Sequence, residues 1–407
     1  MGRSKAHDNR NKVIREGLSS IAEARAISPS TTLTVTSECH RLGVSLATEN
    51  VQDGQGAKIH WIGDRSPETV VLYFHGGGFS FSPTPGHVSF IVESQKRLAS
   101  LDKPFACAFV EYGLTPRVKF PVQHHQAVAA LNHLLVLGRK PSDIIVAGDS
   151  AGGSLAIGLI SASLHSYPGI PLLKLDSPLR GLMAISPWVR FAITSDSFKN
   201  NELEEVFDPK ILLALSDDFR TSEERNEFSE PWLAGPSWWA DAPVSSILVL
   251  TGTSEVFHDD IQDLGSTLAN AGLSVRTVGC DEQVHIECIH DAGFGLEHGP
   301  MSFETSQVVN LGNKLKEAPR GIPKILRNSS TTCMIVKGKD HRCPRDIEYV
   351  LTHGIDGPLI PSQRMYLCHH PLLSNANGDS SKVDKDGCAN STERIQVYDI
   401  GFNQERE

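Results

Sequence analysis

From Thr69 to about Leu315 the chain alternates short apolar runs with longer stretches that carry apolar residues at helical spacing. The runs are Thr69 to Phe74, Phe105 to Tyr112, Ile144 to Ala147, Gly181 to Ser186, Ile247 to Thr251 and Ser274 to Gly279. The stretches between and after them are His87 to Leu98, Pro121 to Leu137, Ala151 to Ser163, Asp259 to Ala271 and Phe303 to Lys316. A run that is apolar at successive residues is buried on both faces of its pleat, which happens in parallel sheets covered by helices. The alternation therefore predicts βαβ units in an α/β fold, a mostly parallel, doubly wound sheet with helices on both sides.

Two regions stand outside the alternation. Residues 1 to 64 precede it, and Val189 to Pro243 interrupts it between two strands. The interruption contains Phe191, Phe198, Phe207, Phe219, Trp232, Trp238 and Trp239, more aromatic surface than a connection between strands needs. A cap inserted at about residues 189 to 243 into a domain of residues 65 to 318 is expected. Past Ala318 the periodicity fades and Asn375 to Lys385 is nearly all small or charged, so residues 319 to 407 read as an appended, poorly ordered tail.

Charge narrows the function. With 48 acidic against 38 basic side chains the formal charge is −10, which argues against a nucleic-acid partner. No segment approaches a membrane span of about 20 apolar residues, and the first thirty residues hold no apolar stretch suited to a secretory signal. The expectation is a cytoplasmic protein without stable membrane insertion. The eight cysteines lack framework spacing, so reduced thiols are expected. In the tail, His341 with Cys343 and Cys368 with His369 and His370 do not make a paired CxxC pattern, and no metal site is expected.

Two glycine-rich segments follow predicted strands. Gly148-Asp149-Ser150-Ala151-Gly152 stands between the run Ile144 to Ala147 and a helix, a G-x-S-x-G elbow that exposes a serine hydroxyl on a sharp turn. The amides after it belong to a helix N-terminus, where partial positive charge favours an anion forming beside Ser150. His75-Gly76-Gly77-Gly78-Phe79 follows the run Thr69 to Phe74, and such a loop presents backbone N–H groups free of side-chain obstruction. The pairing of glycine loop and elbow points to acyl transfer at an activated serine.

With these motifs, and with Glu111-Tyr112-Gly113-Leu114-Thr115-Pro116 followed by Phe120-Pro121, the chain resembles the α/β-hydrolase fold-3 family, the hormone-sensitive-lipase-like serine carboxylesterases. The likeness spans about Thr69 to Lys316. It implies an α/β-hydrolase fold whose helical cap takes part of its structure from residues 1 to 64. It makes Ser150 the nucleophile and gives the oxyanion hole to the amides of Gly77, Gly78 and Ala151, with Gly76 shaping that loop. An orienting carboxylate and a histidine base must then follow in the order serine, acid, histidine. Glu255, just past Ile247 to Gly252, matches the acid position, where the family more often carries Asp. Asp259 and Asp260 compete, although acidic residues in a first helical turn also answer to the helix dipole. His285, just past Ser274 to Gly279, matches the base, with His290 as the alternative.

No cofactor is required by this chemistry. The family likeness implies small or medium acyl esters, such as acetates, including acetyl esters of secondary metabolites. Phe79, Phe81, Trp188, Trp238 and Trp239 are candidates for the pocket wall. A hydrolase-like binding protein, a lipase and an acyltransferase are the rival readings, and the presence of all three triad candidates favours the enzyme. The partner expected is a small-molecule ester.

Overall fold

The computed structural model describes residues 4–307, together with four strand segments beyond residue 325. The chain divides into two units, Met1–Lys316 and Glu317–Glu407. In the first, three helices precede the sheet: α1 (Lys5–Gly17), α2 (Ile21–Ile27) and α3 (Thr31–Leu42). Each begins after a serine, Ser4, Ser20 or Ser30, whose hydroxyl accepts from an amide of the first turn. This satisfies a donor that the helix itself cannot.

The sheet is built from β1 (Leu46–Asn50), β2 (Lys58–Ile62), β3 (Val70–Phe74), β4 (Ala106–Glu111), β5 (Ile144–Asp149), β6 (Gly181–Ile185), β7 (Ile247–Gly252) and β8 (Val275–Cys280). Their order is β1-β2-β4-β3-β5-β6-β7-β8. The strands from β3 onward are parallel to one another, as the apolar runs predict. β1, at the edge, and β2 beside it pair antiparallel and come from the region before the alternation, where no strand is expected.

Alternation along the central strands feeds two cores. Val70, Leu72 and Phe74 face one with Leu131 of α5 (Val122–Val136) and Leu155 of α6 (Ser150–Leu164), whereas Val71 and Tyr73 face another with Ile91 of α4 (Pro85–Ala99). Helices thus cover both faces. The chain runs from β3 through α4 to β4 on one side, then through α5 to β5 on the other side of β3. Reversal of strand order at this point leaves a crevice at the carboxyl ends of β3 and β5, the place where open α/β sheets bind ligands.

The segment from Val189 to Pro243 contains α7 (Asp196–Asn200) and α8 (Lys210–Phe219). After β7 come α9 (His258–Asn270), α10 (Glu287–Phe294) and α11 (Pro300–Thr305). The rest of the expected helix Phe303 to Lys316 lies largely outside the described residues. In the second unit, β9 (Leu326–Asn328), β10 (Thr331–Lys339), β11 (Asp346–Gly354) and β12 (Cys368–His369) pair antiparallel. The side chains of the expected tail, including its cysteines and histidines, lie outside the described residues. Among the described residues, no helix is long and apolar enough to cross a membrane. Cys39, Cys107, Cys280 and Cys288 are buried free thiols.

One ion pair joins the two ends of the first unit. Arg10 of α1 is fully buried and its guanidinium meets Asp291 of α10, with Glu287 at 3.2 Å. Removing one partner of a buried pair strands the other charges in a low-dielectric site. Arg10→Ala is therefore expected to lower stability by about 3 kcal/mol, read as a fall in the urea midpoint.

Candidate active site

The elbow forms as the sequence requires. Ser150 has φ +51°, a strained left-handed conformation, at the junction of β5 and α6. Room for it depends on Gly152, where a Cβ would fall on the carbonyl oxygens of Phe74 and His75. The Ser150 carbonyl accepts from Trp188 at 3.0 Å, which fixes the turn against the end of β6. Across the crevice, Gly77 (φ +106°) and Gly78 (φ +58°) bring the loop after β3 to the same cavity. The Gly76 amide donates to Asp149 Oδ1 at 3.0 Å, so it is committed and cannot be an oxyanion donor. It shapes the loop instead.

His285 stands at the other side of the serine. Its Nε2 lies 2.9 Å from Ser150 Oγ and its Nδ1 lies 3.1 Å from Glu255 Oε2. A carboxylate beside Nδ1 holds the proton there, which leaves Nε2 as an acceptor for the serine hydroxyl. Glu255 is held in turn, because its Oε1 accepts from Thr251 Oγ1 and, at 3.0 Å, from the Gly252 amide. Phe207 and Phe257 meet the imidazole edge to face, with centroids 5.3 and 5.1 Å away. Burial pulls the His285 pKa down, but the hydrogen bond and charge of Glu255, with the further charges of Glu205 and Asp149, leave it above the ordinary 6.5.

The competing residues are engaged elsewhere. Asp259 Oδ2 accepts from the Ser197 amide at 2.7 Å, and Asp260 meets Arg190 at 3.1 Å. His290 lies on α10 and lines the cavity, and burial holds its pKa well below the ordinary range. No hydrogen bond among the described residues joins His290 to Ser150.

Ser150 and His285 open into a cavity of about 180 Å³. Its walls are mostly apolar: Ile14 from α1 and Leu18 just past it, Phe81 from the glycine loop, Trp188, Phe257, and Phe207, Ile211, Leu212 and Leu215 from the insertion. Of the expected wall residues, Trp188 and Phe81 are in place. Phe79 is not, since its ring is buried behind the loop, stacked on Phe219 at 3.9 Å between centroids. Trp238 stacks on His165 and donates to Ser161 at 3.1 Å, while Trp239 is wholly buried, and neither lines the cavity. Both lie in a turn, Pro236–Trp239, packed on α6 and α9.

Residues 71–289 match the sequence profile of a family described as alpha/beta hydrolase fold. This chain belongs to the α/β-hydrolase fold-3 family. An acetyl-hydrolase of Streptomyces hygroscopicus is 28% identical over 227 residues, covering 54% of this chain and 69% of that protein. Esterase LipI of Mycobacterium tuberculosis is 27% identical over 250 residues, covering 60% and 73% respectively. An esterase from the bacterial hormone-sensitive lipase family shares the fold, with a TM-score of 0.55 at 22% identity over 77% of this chain and all of that one.

Within this α/β-hydrolase site, sequence reasoning misses Asp149. Its buried carboxylate accepts from Tyr73 Oη at 2.8 Å and from the Gly76 amide, and lies 3.2 Å from His87 Nε2. Its position beside Ser150 inside the elbow motif was the available signal. Thr251 and Glu205 are missed as well, and nothing in their local sequence marks them. Because Glu255, and neither Asp259 nor Asp260, bonds the His285 ring, Glu255→Gln is expected to lower kcat by at least about a hundredfold, and Asp259→Asn or Asp260→Asn by far less. Steady-state kinetics on one chromogenic ester ranks the three.

Proposed function

We propose that this carboxylic ester hydrolase cleaves small or medium acyl esters through an acyl-enzyme on Ser150, with His285 as base and Glu255 as the orienting acid. The observation that carries the reading is the unbroken line of hydrogen bonds from Glu255 through His285 to Ser150, opening on an apolar cavity. His285 Nε2 takes the hydroxyl proton as Ser150 Oγ attacks the ester carbonyl, and Glu255 supports the imidazolium that forms. The oxyanion falls to the amides of Gly77, Gly78 and Ala151, the last in the first turn of α6 where helix amides lack internal partners. His285 then gives its proton to the leaving alcohol, and a water molecule repeats the attack to free the acid.

Cavity size sets the acyl group. An apolar cavity of roughly 150 Å³ holds a benzene ring, so a space of about 180 Å³ suits a short aliphatic or aromatic acyl chain. The acetyl-hydrolase among the relatives fits the short end of that range. Helix α1 and the insertion of residues 189 to 243 serve as the cap, since both contribute walls. A pure binding role is disfavoured by the intact chain of hydrogen bonds, which a receptor has no need to keep.

A series of p-nitrophenyl esters tests this. Turnover should be greatest for short acyl chains and vanish in Ser150→Ala; comparable hydrolysis by that variant would refute the nucleophile. Activity should also be lost as pH falls through the His285 pKa, because only the neutral imidazole accepts the serine proton. The midpoint of the acidic limb in kcat/KM should therefore lie above the ordinary 6.5.

A further inference from the structure

Besides Glu255 and Asp149, the site contains a third buried carboxylate, to which this reaction assigns no role. Glu205 lies between α7 and α8 and is 1% exposed. Its Oε2 accepts from the amide of Val256 at 2.9 Å, the residue after Glu255. Its Oε1 accepts from the Val206 amide at 2.7 Å and, at 3.4 Å, from the amide of His285 itself. One side chain from the insertion thus holds the backbone on both sides of the hydrogen bond between Glu255 and His285.

The surroundings of Glu205 are specific. The charged or titratable groups facing its carboxylate are His285 and Glu255. Arg15 of α1 reaches only the backbone, donating to the carbonyl of Glu205 at 3.0 Å and to that of Glu202 at 2.8 Å. No lysine or arginine pairs with the Glu205 carboxylate among the described ion pairs. A buried carboxylate without a cation is costly unless amides or an imidazolium compensate it. Burial lifts the Glu205 pKa to about 7, against the pull of His285 and the backbone amides and with the push of Glu255.

We infer that Glu205 is a positioning residue of the triad, one that fixes the acid turn and the histidine loop in register and supports the positive charge His285 acquires when it takes the Ser150 proton. The inference rests on the Ser150, His285 and Glu255 reading above. No proton has to move to Glu205: its two acceptor oxygens act through the backbone, and above its own pKa its charge adds to the field at His285. It also couples the insertion to the chemistry, because the residues beside it, Val206 and Phe207, line the cavity.

The test is the pH profile of Glu205→Gln on p-nitrophenyl acetate. We expect kcat to fall about tenfold, the loss of roughly one hydrogen bond to a charged group. The midpoint of the acidic limb of kcat/KM should move to lower pH, because an imidazolium that has lost a neighbouring negative charge gives up its proton more readily. Glu205→Asp retains the charge with a shorter reach, so its kcat should fall while its midpoint stays. Should the glutamine variant not fold, Glu205→Ala removes the same charge and reads the same shift. A Glu205→Gln or Glu205→Ala limb at the wild-type midpoint, or an unchanged kcat, overturns the role given to Glu205. Labelling of wild-type Ser150 by an organophosphonate separates the two readings, since an unlabelled serine would sink the triad and not merely Glu205.

Discussion

The site depends first on two neighbouring strands whose loops must be held together. β3 and β5 pair in parallel, and the loops leaving their ends carry the glycines and the serine. Backbone pairing brings them close but does not fix their relative height. The carboxylate of Asp149 does that, accepting from the Gly76 amide while its own backbone leads into the strained Ser150 turn. Tyr73 and His87 keep that carboxylate in place from the opposite core. A strained turn persists only where its surroundings over-determine it, and here the restraints come from three directions.

Around this anchor the polar groups form a buried network with few basic partners. Asp149, Glu255 and Glu205 are all buried, and all three act on the His285 imidazole, which in the proposed mechanism becomes a cation. Such an arrangement favours positive charge at the histidine beside an apolar cavity, as the proposed acyl transfer needs. The two halves of the site are thus built from opposite materials: carboxylates and amides behind the imidazole, aliphatic and aromatic side chains in front of it.

Much of this was legible in the chain because the chemistry sits at strand ends. Ser150, Glu255 and His285 each follow a predicted strand, and the family resemblance, with its order of serine, acid and histidine, singled out the last two. The wall was less legible. An aromatic residue in the insertion can face the cavity or the flank of the sheet, and Phe207 does the first while Trp238 and Trp239 do the second. Composition does not distinguish them. Glu205 was hidden inside Asn201-Glu202-Leu203-Glu204-Glu205, an acidic run that reads as solvated although one member is buried. Helix α1 was hidden for a related reason, since its buried face carries Arg10 and Asn11 rather than an apolar stripe. The capping serines Ser4, Ser20 and Ser30 were the better signal for that region.

The pairing of Arg10 with Asp291 spans 281 positions of the chain. Helix α1 precedes the sheet and, with Leu18 just past its end, gives the cavity Ile14 and Leu18, whereas α10, its partner, follows the histidine loop. The cavity is walled by segments far apart in the first unit, and its shape is a property of the whole unit rather than of any contiguous segment.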